Sequence, residues 1–104
     1  MADTTESSAI PRAPRGLKAA GKKLWSNTLE QYPLEDDMPK LELLEQAARV
    51  ADIIADLDRK AADEPTTVKG SMGQWVINPL ISESRFQRGL LASLLSKMNL
   101  GGEG

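Results

Sequence analysis

The segment from Pro39 to Asp63 constrains the fold of this chain more than any other. Its apolar residues have helical periodicity and cover well over half of the helix circumference, whereas a surface helix of a monomer needs an apolar arc of only about 100°. The helix must therefore be covered from two or more directions. In a chain of three predicted helices, neighbouring subunits are the natural cover. The apolar positions are Leu41, Leu43, Leu44, Ala47, Ala48, Val50, Ala51, Ile53, Ile54, Ala55, Leu57, Ala61 and Ala62.

A shorter helix is predicted before this segment, from about Leu17 to Tyr32, and Pro33 ends it. Gly21 lies on the apolar face of this helix, where the missing side chain would let another backbone approach closely. Trp25 lies on the same side as Leu17, so we expect it in the core rather than stacked on a nucleic-acid base.

A last helix is predicted to begin at Asn78-Pro79, which is a favoured N-cap followed by a favoured first-turn residue. It runs to about Met98, and Gly101-Gly102 end it. Phe86 lies off its apolar stripe, which indicates a second contact surface. The second and last helices would each be roughly 30–37 Å long. We therefore expect an elongated protomer that assembles with others.

A β-hairpin is predicted between the two long helices, within residues 64–77. Two β-favouring runs, Thr66–Val68 and Trp75–Ile77, flank a turn at Gly70–Gly73. An isolated hairpin is marginal in water, so it should lie on a helix or pair with a neighbour. Trp75 would then seal a subunit interface or be half exposed.

The expected fold class is thus all-α with a small β-hairpin: a short N-terminal helix and two long antiparallel helices joined by the hairpin. At 104 residues the chain is one domain. We expect a disordered basic arm over residues 1–15, a helical oligomerisation and DNA-engaging domain over 16–100, and a flexible tail over 101–104.

Missing residue types and motifs exclude several chemistries. The chain has no Cys and no His, which removes disulfides, thiolate metal sites and the commonest general base. No phosphate-binding glycine loop, nucleophile elbow or metal-ligand pattern is present, so we expect no enzyme activity, cofactor or metal. No apolar run approaches the roughly 20 residues that span a bilayer. A soluble, intracellular protein without a membrane partner is expected.

Three carboxylates on the second predicted helix are of interest. Asp52, Asp56 and Asp58 could bind a divalent cation, but helical spacing puts Asp58 on a different face from the other two. Asp58 also lies within the apolar arc, where a carboxylate must be paired. Arg85 and Arg88 on the last helix are its expected partners.

Charge is segregated along the chain. Residues 9–29 contain five bases and no acid, residues 30–64 contain eleven acids and four bases, and residues 65–100 contain four bases and one acid. This asymmetry favours a basic patch for a polyanion beside an acidic body, the alternative being solvated helix faces and a flexible tail. The candidate DNA-binding residues are Arg12, Arg15, Lys18, Lys22 and Lys23.

Taken in order, these features resemble the small terminase subunit of tailed phages. The resemblance extends from about Pro14 to Leu100. It rests on the residues around Gly21–Trp25, the Leu/Ala-rich helix ending at 51–58, the glycine-containing hairpin, and the 78–81 and 83–88 segments of the last helix.

This resemblance implies a ring-like homo-oligomer in the host cytoplasm that recognises double-stranded viral DNA. It also implies that the ring recruits and regulates a separate large subunit, which carries the ATPase and nuclease. No clear recognition helix is present, so we expect phosphate contacts rather than base readout. The candidate oligomer-interface residues are Leu43, Val50, Ile54, Leu57, Trp75 and Phe86.

Two other functions are compatible with the same residues. A helical adaptor would bind only protein partners, through the apolar second helix. A small DNA-binding transcription factor would require a dimer and a half-site-sized footprint, which fits the long apolar arc and the hairpin less well.

Overall fold

The computed structural model describes residues 11–101, and in this part of the chain three helices and one hairpin follow one another. Helix α1 spans Ala19–Gln31 and α2 spans Met38–Ala61. Strands β1 (Thr67–Lys69) and β2 (Trp75–Ile77) come next, and α3 (Pro79–Met98) is last. The predicted helices and hairpin are confirmed, with bounds within two residues of those expected.

The ends of α2 and α3 have local chemical causes. The Asp37 side chain accepts a hydrogen bond from the Lys40 amide at 3.2 Å, and the Asn78 side chain accepts one from the Leu80 amide at 2.9 Å. Each helix has a proline in its first two positions. The predicted N-cap role of Asn78 is therefore confirmed.

The C-terminal stop of α3 differs from the prediction. Asn99 caps the helix in the left-handed conformation with φ of 52°, so the helix has already ended when the chain reaches Gly101. Asparagine tolerates this conformation better than most residues, because its short polar side chain can bond locally.

Helices α2 and α3 form an antiparallel pair, and α1 packs on the N-terminal half of α2. Antiparallel packing follows because Leu44, early in α2, meets Met98 at the end of α3, whereas Asp58, late in α2, bonds to Arg88. Leu44 and Met98 are fully buried. The core is thus deepest where all three helices meet, and its main cluster consists of Leu17, Trp25, Leu29, Leu34, Leu44, Ala48 and Met98.

The apolar arc of α2 is covered from two directions within one chain. Helix α1 covers the side that carries Ala48, and α3 covers the side that carries Val50 and Ile54, which pack with Leu94. Neighbouring subunits were expected to cover these positions, but residues of the same chain cover them. Trp25 is 5% exposed and lies in the core, as predicted.

The hairpin follows the end of α2. Its strands are antiparallel, with Val68 opposite Val76 and Lys69 opposite Trp75. Gly73 has φ of +84° and its amide donates to the carbonyl of Gly70, as in a tight turn that ends in a left-handed residue. The predicted turn is therefore confirmed.

The molecule is elongated, with extents of 61 × 35 × 17 Å and a radius of gyration of 17.5 Å. A compact domain of about 100 residues would have a radius near 13 Å. The predicted elongation of the protomer is confirmed. Within residues 11–101, no helix combines the length and apolarity needed to cross a bilayer.

Candidate nucleic-acid interface

The chain that precedes α1 is bound to the helices from residue 11 onwards. The Trp25 indole N–H donates to the carbonyl of Pro11 at 3.0 Å, and the Arg49 guanidinium donates to the carbonyl of Arg15 at 3.4 Å. Leu17 is 5% exposed and belongs to the core. Residues 11–15 thus have defined contacts in place of the expected disorder, whereas residues 1–10 of the predicted arm lie outside the described residues.

The start of α1 is held by a carboxylate from α2. Asp52 accepts the backbone N–H of Lys18 on one oxygen and that of Gly21 on the other, both at 2.7 Å. Lys18 occupies the N-cap position, and its side chain makes no capping hydrogen bond. A lysine ammonium has no acceptor, so Asp52 supplies from a distance what an N-cap Asp or Ser supplies locally.

Close helix packing makes this contact possible. A β-carbon built on Gly21 would lie 2.6 Å from Asp52 Oδ2 and 2.7 Å from the carbonyl oxygen of Ala48. Only a residue without a side chain fits this approach, as predicted for Gly21. Asp52 was expected from the sequence only as a possible cation ligand, and its capping role was not predicted.

All five predicted DNA-binding side chains are exposed. Arg12 and Arg15 lie on the segment before α1, Lys18 at its start, and Lys22 and Lys23 on its outer surface. In the described part of the chain, no carboxylate lies within ion-pair distance of any of the five. The ion pairs found there are Lys40–Asp37, Arg49–Glu45, Arg59–Asp56, Lys60–Asp56 and Arg88–Asp58.

The basic side chains of the described residues differ in whether they are in an ion pair. The four bases of the acidic region are in ion pairs, whereas none of the five bases before and on α1 is in one within residues 11–101. Two of the five lie near acids all the same, since Arg12 lines a groove with Glu42 and Glu45, and Lys18 lines one with Asp52 and Asp56. Residues 11–29 contain no acidic side chain that could compensate the five bases locally. The exposed surface formed by Arg12, Arg15, Lys18, Lys22 and Lys23 is called the basic surface below.

Asp58 links the two long helices. It accepts a hydrogen bond from the Ser84 hydroxyl at 2.8 Å and two from the Arg88 guanidinium, at 2.6 and 3.2 Å. The hydrogen bonds from Arg88, then that from Ser84, lower the pKa of Asp58 below its ordinary value of 3.8. The hydrogen bonds that Arg88 donates to Asp58, and then the negative charge of Asp58, raise the pKa of Arg88. The predicted pairing is confirmed for Arg88, and Arg85 is not the partner in the described structure. The expectation that Asp58 is enclosed by apolar residues is wrong, because its side chain is 45% exposed.

The remaining acids of the described residues do not form a metal site. Asp56 bonds to Lys60 and Arg59 on its own helix, and the hydrogen bond from Lys60 is the main cause of its lowered pKa. Among residues 11–101, no group of three acidic side chains is close enough to hold a metal ion.

An open groove of about 300 Å³ runs beside Lys18, Asp52 and Ile53.

The candidate oligomer-interface residues fall into two groups. Val50 and Ile54 are at most 8% exposed and lie in the intramolecular core, while Leu43 and Leu57 are partly buried. Trp75 and Phe86 are 67% and 66% exposed. Only these last two are free to contact another molecule over most of their surface.

Two exposed apolar residues next to this pair escaped the sequence reasoning. Ile77 lies on the same exposed face of β2 as Trp75, and Leu90 lies one turn after Phe86 on α3. The exposed apolar positions Trp75, Ile77, Phe86 and Leu90 are called the apolar surface residues below. Both could have been predicted from their spacing. Ile77 is two positions after Trp75 on a strand, and Leu90 is four positions after Phe86 on a helix, so each lies on the same face as the predicted residue.

No family model, characterised protein or solved structure matches this chain.

Proposed function

We propose that this protein is a small terminase subunit, which assembles into a ring-like homo-oligomer, binds double-stranded viral DNA, and recruits and regulates a large ATPase-nuclease subunit in the host cytoplasm. The observation that carries the proposal is the basic surface, because its five side chains are exposed and none of them is in an ion pair in the described part of the chain. The sequence resemblance supplies the cellular setting.

Binding to DNA would rest on phosphate contacts. Lys and Arg side chains bind phosphates irrespective of base sequence, and each phosphate neutralised on duplex DNA releases counterions. Contacts that are weak in one subunit would add up around an oligomer that repeats the basic surface. The acidic residues of α2 would discourage DNA from binding elsewhere.

Assembly would use the apolar surface residues. Trp75 and Phe86 are large and mostly exposed, and large aromatic residues are enriched at protein–protein interfaces. The same observation favours a second candidate function, a helical adaptor that binds protein partners without DNA. The two functions differ in salt-dependent DNA binding, which only the terminase subunit requires.

Native mass spectrometry with and without viral-end DNA is the direct test. One closed assembly of many subunits that gains the mass of DNA supports the terminase subunit. A defined oligomer that takes up no DNA favours the adaptor. A monomer or dimer contradicts the ring.

Charge variants test the basic surface itself. We expect the double variant Lys22→Gln/Lys23→Gln to bind all duplex sequences more weakly than the wild type. Its slope of log affinity against log salt should become shallower by about 0.9 for each phosphate that the variant no longer neutralises. Binding is measured by fluorescence anisotropy at several salt concentrations.

The matched control is Arg85→Gln/Lys97→Gln, which removes the same charge from α3. Both residues are exposed, and neither is in an ion pair within residues 11–101. Equal losses of affinity in the two double variants would show that net charge acts alone, and would contradict a localised basic surface.

A further inference from the structure

The carboxylate of Asp52, on α2, binds the backbone at the start of α1, next to the basic surface. Both oxygens of Asp52 accept amide hydrogens at 2.7 Å, one from Lys18 and one from Gly21. Resting on the proposed function, we infer that Asp52 is a positioning residue, which holds the start of α1 on α2 so that Lys18 and Lys22 are presented to DNA in a fixed arrangement.

The first turn of α1 needs an acceptor from outside the helix. Helix α1 is 13 residues long, and isolated helices of about 12–15 residues are marginal in water. Its first amides have no partner within the helix, and Lys18 offers no capping acceptor. The Asp52 carboxylate satisfies two of these amides and ties them to a helix that is fixed in the core by Ala48 and Leu44.

The contact of Asp52 with the Lys18 and Gly21 amides also determines which groups of α1 are left to bind a DNA phosphate. The start of a helix attracts anions because its free amides point outward and the helix dipole is positive there. Here the carboxylate of Asp52 occupies two of those amides. Contact with DNA is therefore left to the side chains of Lys18, Lys22 and their neighbours, whose positions depend on where α1 is held.

A role of Asp52 through its charge alone and a role in positioning α1 predict opposite changes in DNA affinity when its carboxylate is neutralised. By charge alone, neutralising an acid beside the basic surface raises the affinity for a polyanion. If Asp52 positions α1, its neutralisation lowers that affinity, because one of the two amides loses its acceptor and the bases lose their fixed arrangement. The sign of the change therefore separates the two roles.

The test compares Asp52→Asn with Asp56→Asn in the full chain. Both substitutions remove one negative charge from α2, one helical turn apart, but Asp56 bonds only to Arg59 and Lys60 on its own helix. Binding of a duplex oligonucleotide is measured by fluorescence anisotropy. We expect Asp56→Asn to bind as tightly as the wild type or more tightly, and Asp52→Asn to bind roughly three- to tenfold more weakly. Tighter binding by Asp52→Asn overturns the positioning role.

Amide hydrogen exchange supplies a readout that needs no DNA. We expect the amides of Lys18 and Gly21 to exchange faster in Asp52→Asn and at the wild-type rate in Asp56→Asn. Equal rates in both variants overturn the anchoring of α1 by Asp52. If the wild type binds no DNA, the proposed function and the positioning role fail together, and the exchange rates still decide whether Asp52 holds α1.

A second variant, Asp52→Glu, takes the place of Asp52→Asn in these measurements if Asp52→Asn does not fold. It retains the charge and displaces the carboxylate by one methylene. The positioning role predicts weaker DNA binding for this variant as well, although its net charge equals that of the wild type. Unchanged DNA affinity together with unchanged exchange at Lys18 and Gly21 overturns the proposal.

Discussion

At the residue scale, two carboxylates six positions apart on α2 perform different structural roles. Asp52 accepts backbone amides at the start of α1, whereas Asp58 accepts hydrogen bonds from the side chains of Ser84 and Arg88 on α3. Each therefore connects α2 to a different neighbouring helix. An acid that would otherwise be only a solvated charge becomes a tertiary contact, because a carboxylate offers several acceptor sites.

Asp58 makes stability depend on pH. Its folded-state pKa lies below the ordinary value of 3.8, so the ionised carboxylate stabilises the folded state. The contribution is fully present at a pH above that ordinary value and is lost as the pH falls through the lowered pKa. We expect wild type to be more stable than Asp58→Asn in urea denaturation near neutral pH, and the difference to shrink as the pH falls below 3.8.

Asp56→Asn is the control for this pH dependence. The pKa of Asp56 is also lowered, but its partners Lys60 and Arg59 lie on the same exposed helix face. Such local surface pairs contribute little to tertiary stability. A stability loss in Asp56→Asn as large as that in Asp58→Asn would contradict the role of Asp58 as a link between helices.

At the scale of the elements, the packing of α1 on α2 depends on one glycine. Gly21 allows the backbones to approach until the carbonyl oxygen of Ala48 lies 2.7 Å from the position that a β-carbon on Gly21 would take. The cost is lower helix propensity, since glycine is about 0.8–1 kcal/mol less favourable than alanine within a helix. Gly89 in α3 has the same propensity cost without the packing requirement, because nothing lies within 4 Å of its hypothetical β-carbon.

These two glycines should therefore respond oppositely to alanine. We expect Gly21→Ala to destabilise the protein by about 1–3 kcal/mol through overpacking, in spite of its better helix propensity. We expect Gly89→Ala to stabilise it by about 0.5–1 kcal/mol. Thermal unfolding by circular dichroism measures both, with an expected shift of about 4–8 °C for each kcal/mol. Stabilisation by Gly21→Ala would show that α1 is not held close to α2.

At the scale of the whole molecule, an elongated chain keeps large apolar groups exposed. The three helices bury one another where α1, Leu44 and Met98 meet, whereas the hairpin and the outer face of α3 leave Trp75 and Phe86 in solvent. A single chain with extents of 61 × 35 × 17 Å has too little interior to enclose every apolar side chain. Association between copies would remove this exposed surface from water.

Polar substitutions at Trp75 and Phe86 should reduce the proposed assembly without unfolding the single chain. We expect Trp75→Gln/Phe86→Gln to shift the assembly to smaller species in analytical ultracentrifugation, with its helical circular dichroism unchanged. Ile53→Gln is the control, because Ile53 is 44% exposed on a different surface, beside the groove at Lys18. Equal dissociation in both variants, or none in the double variant, would contradict an interface at Trp75 and Phe86.

The helices and strands of this protein could be predicted from its residues alone. Helical periodicity, the turn chemistry of Gly70–Gly73 and the Asn78-Pro79 pair predicted each helix and strand, because these signals depend on residues close together in the chain. The pairing of Asp58 with Arg88 was also expected, but the reason given for it was wrong, since the Asp58 side chain is 45% exposed and not buried in the apolar arc. The basic residues of the candidate site were visible as a local excess of charge.

How these helices cover one another could not be predicted in this way, because it depends on contacts between residues far apart in the chain. Periodicity shows that α2 has a wide apolar arc but not which neighbour covers it, so Val50 and Ile54 were expected at an interface and lie in the core. The role of Asp52 depends on contacts 31 and 34 residues away. Its one signal in the sequence was the absence of a capping side chain at Lys18, which shows that an acceptor is needed and not which residue provides it.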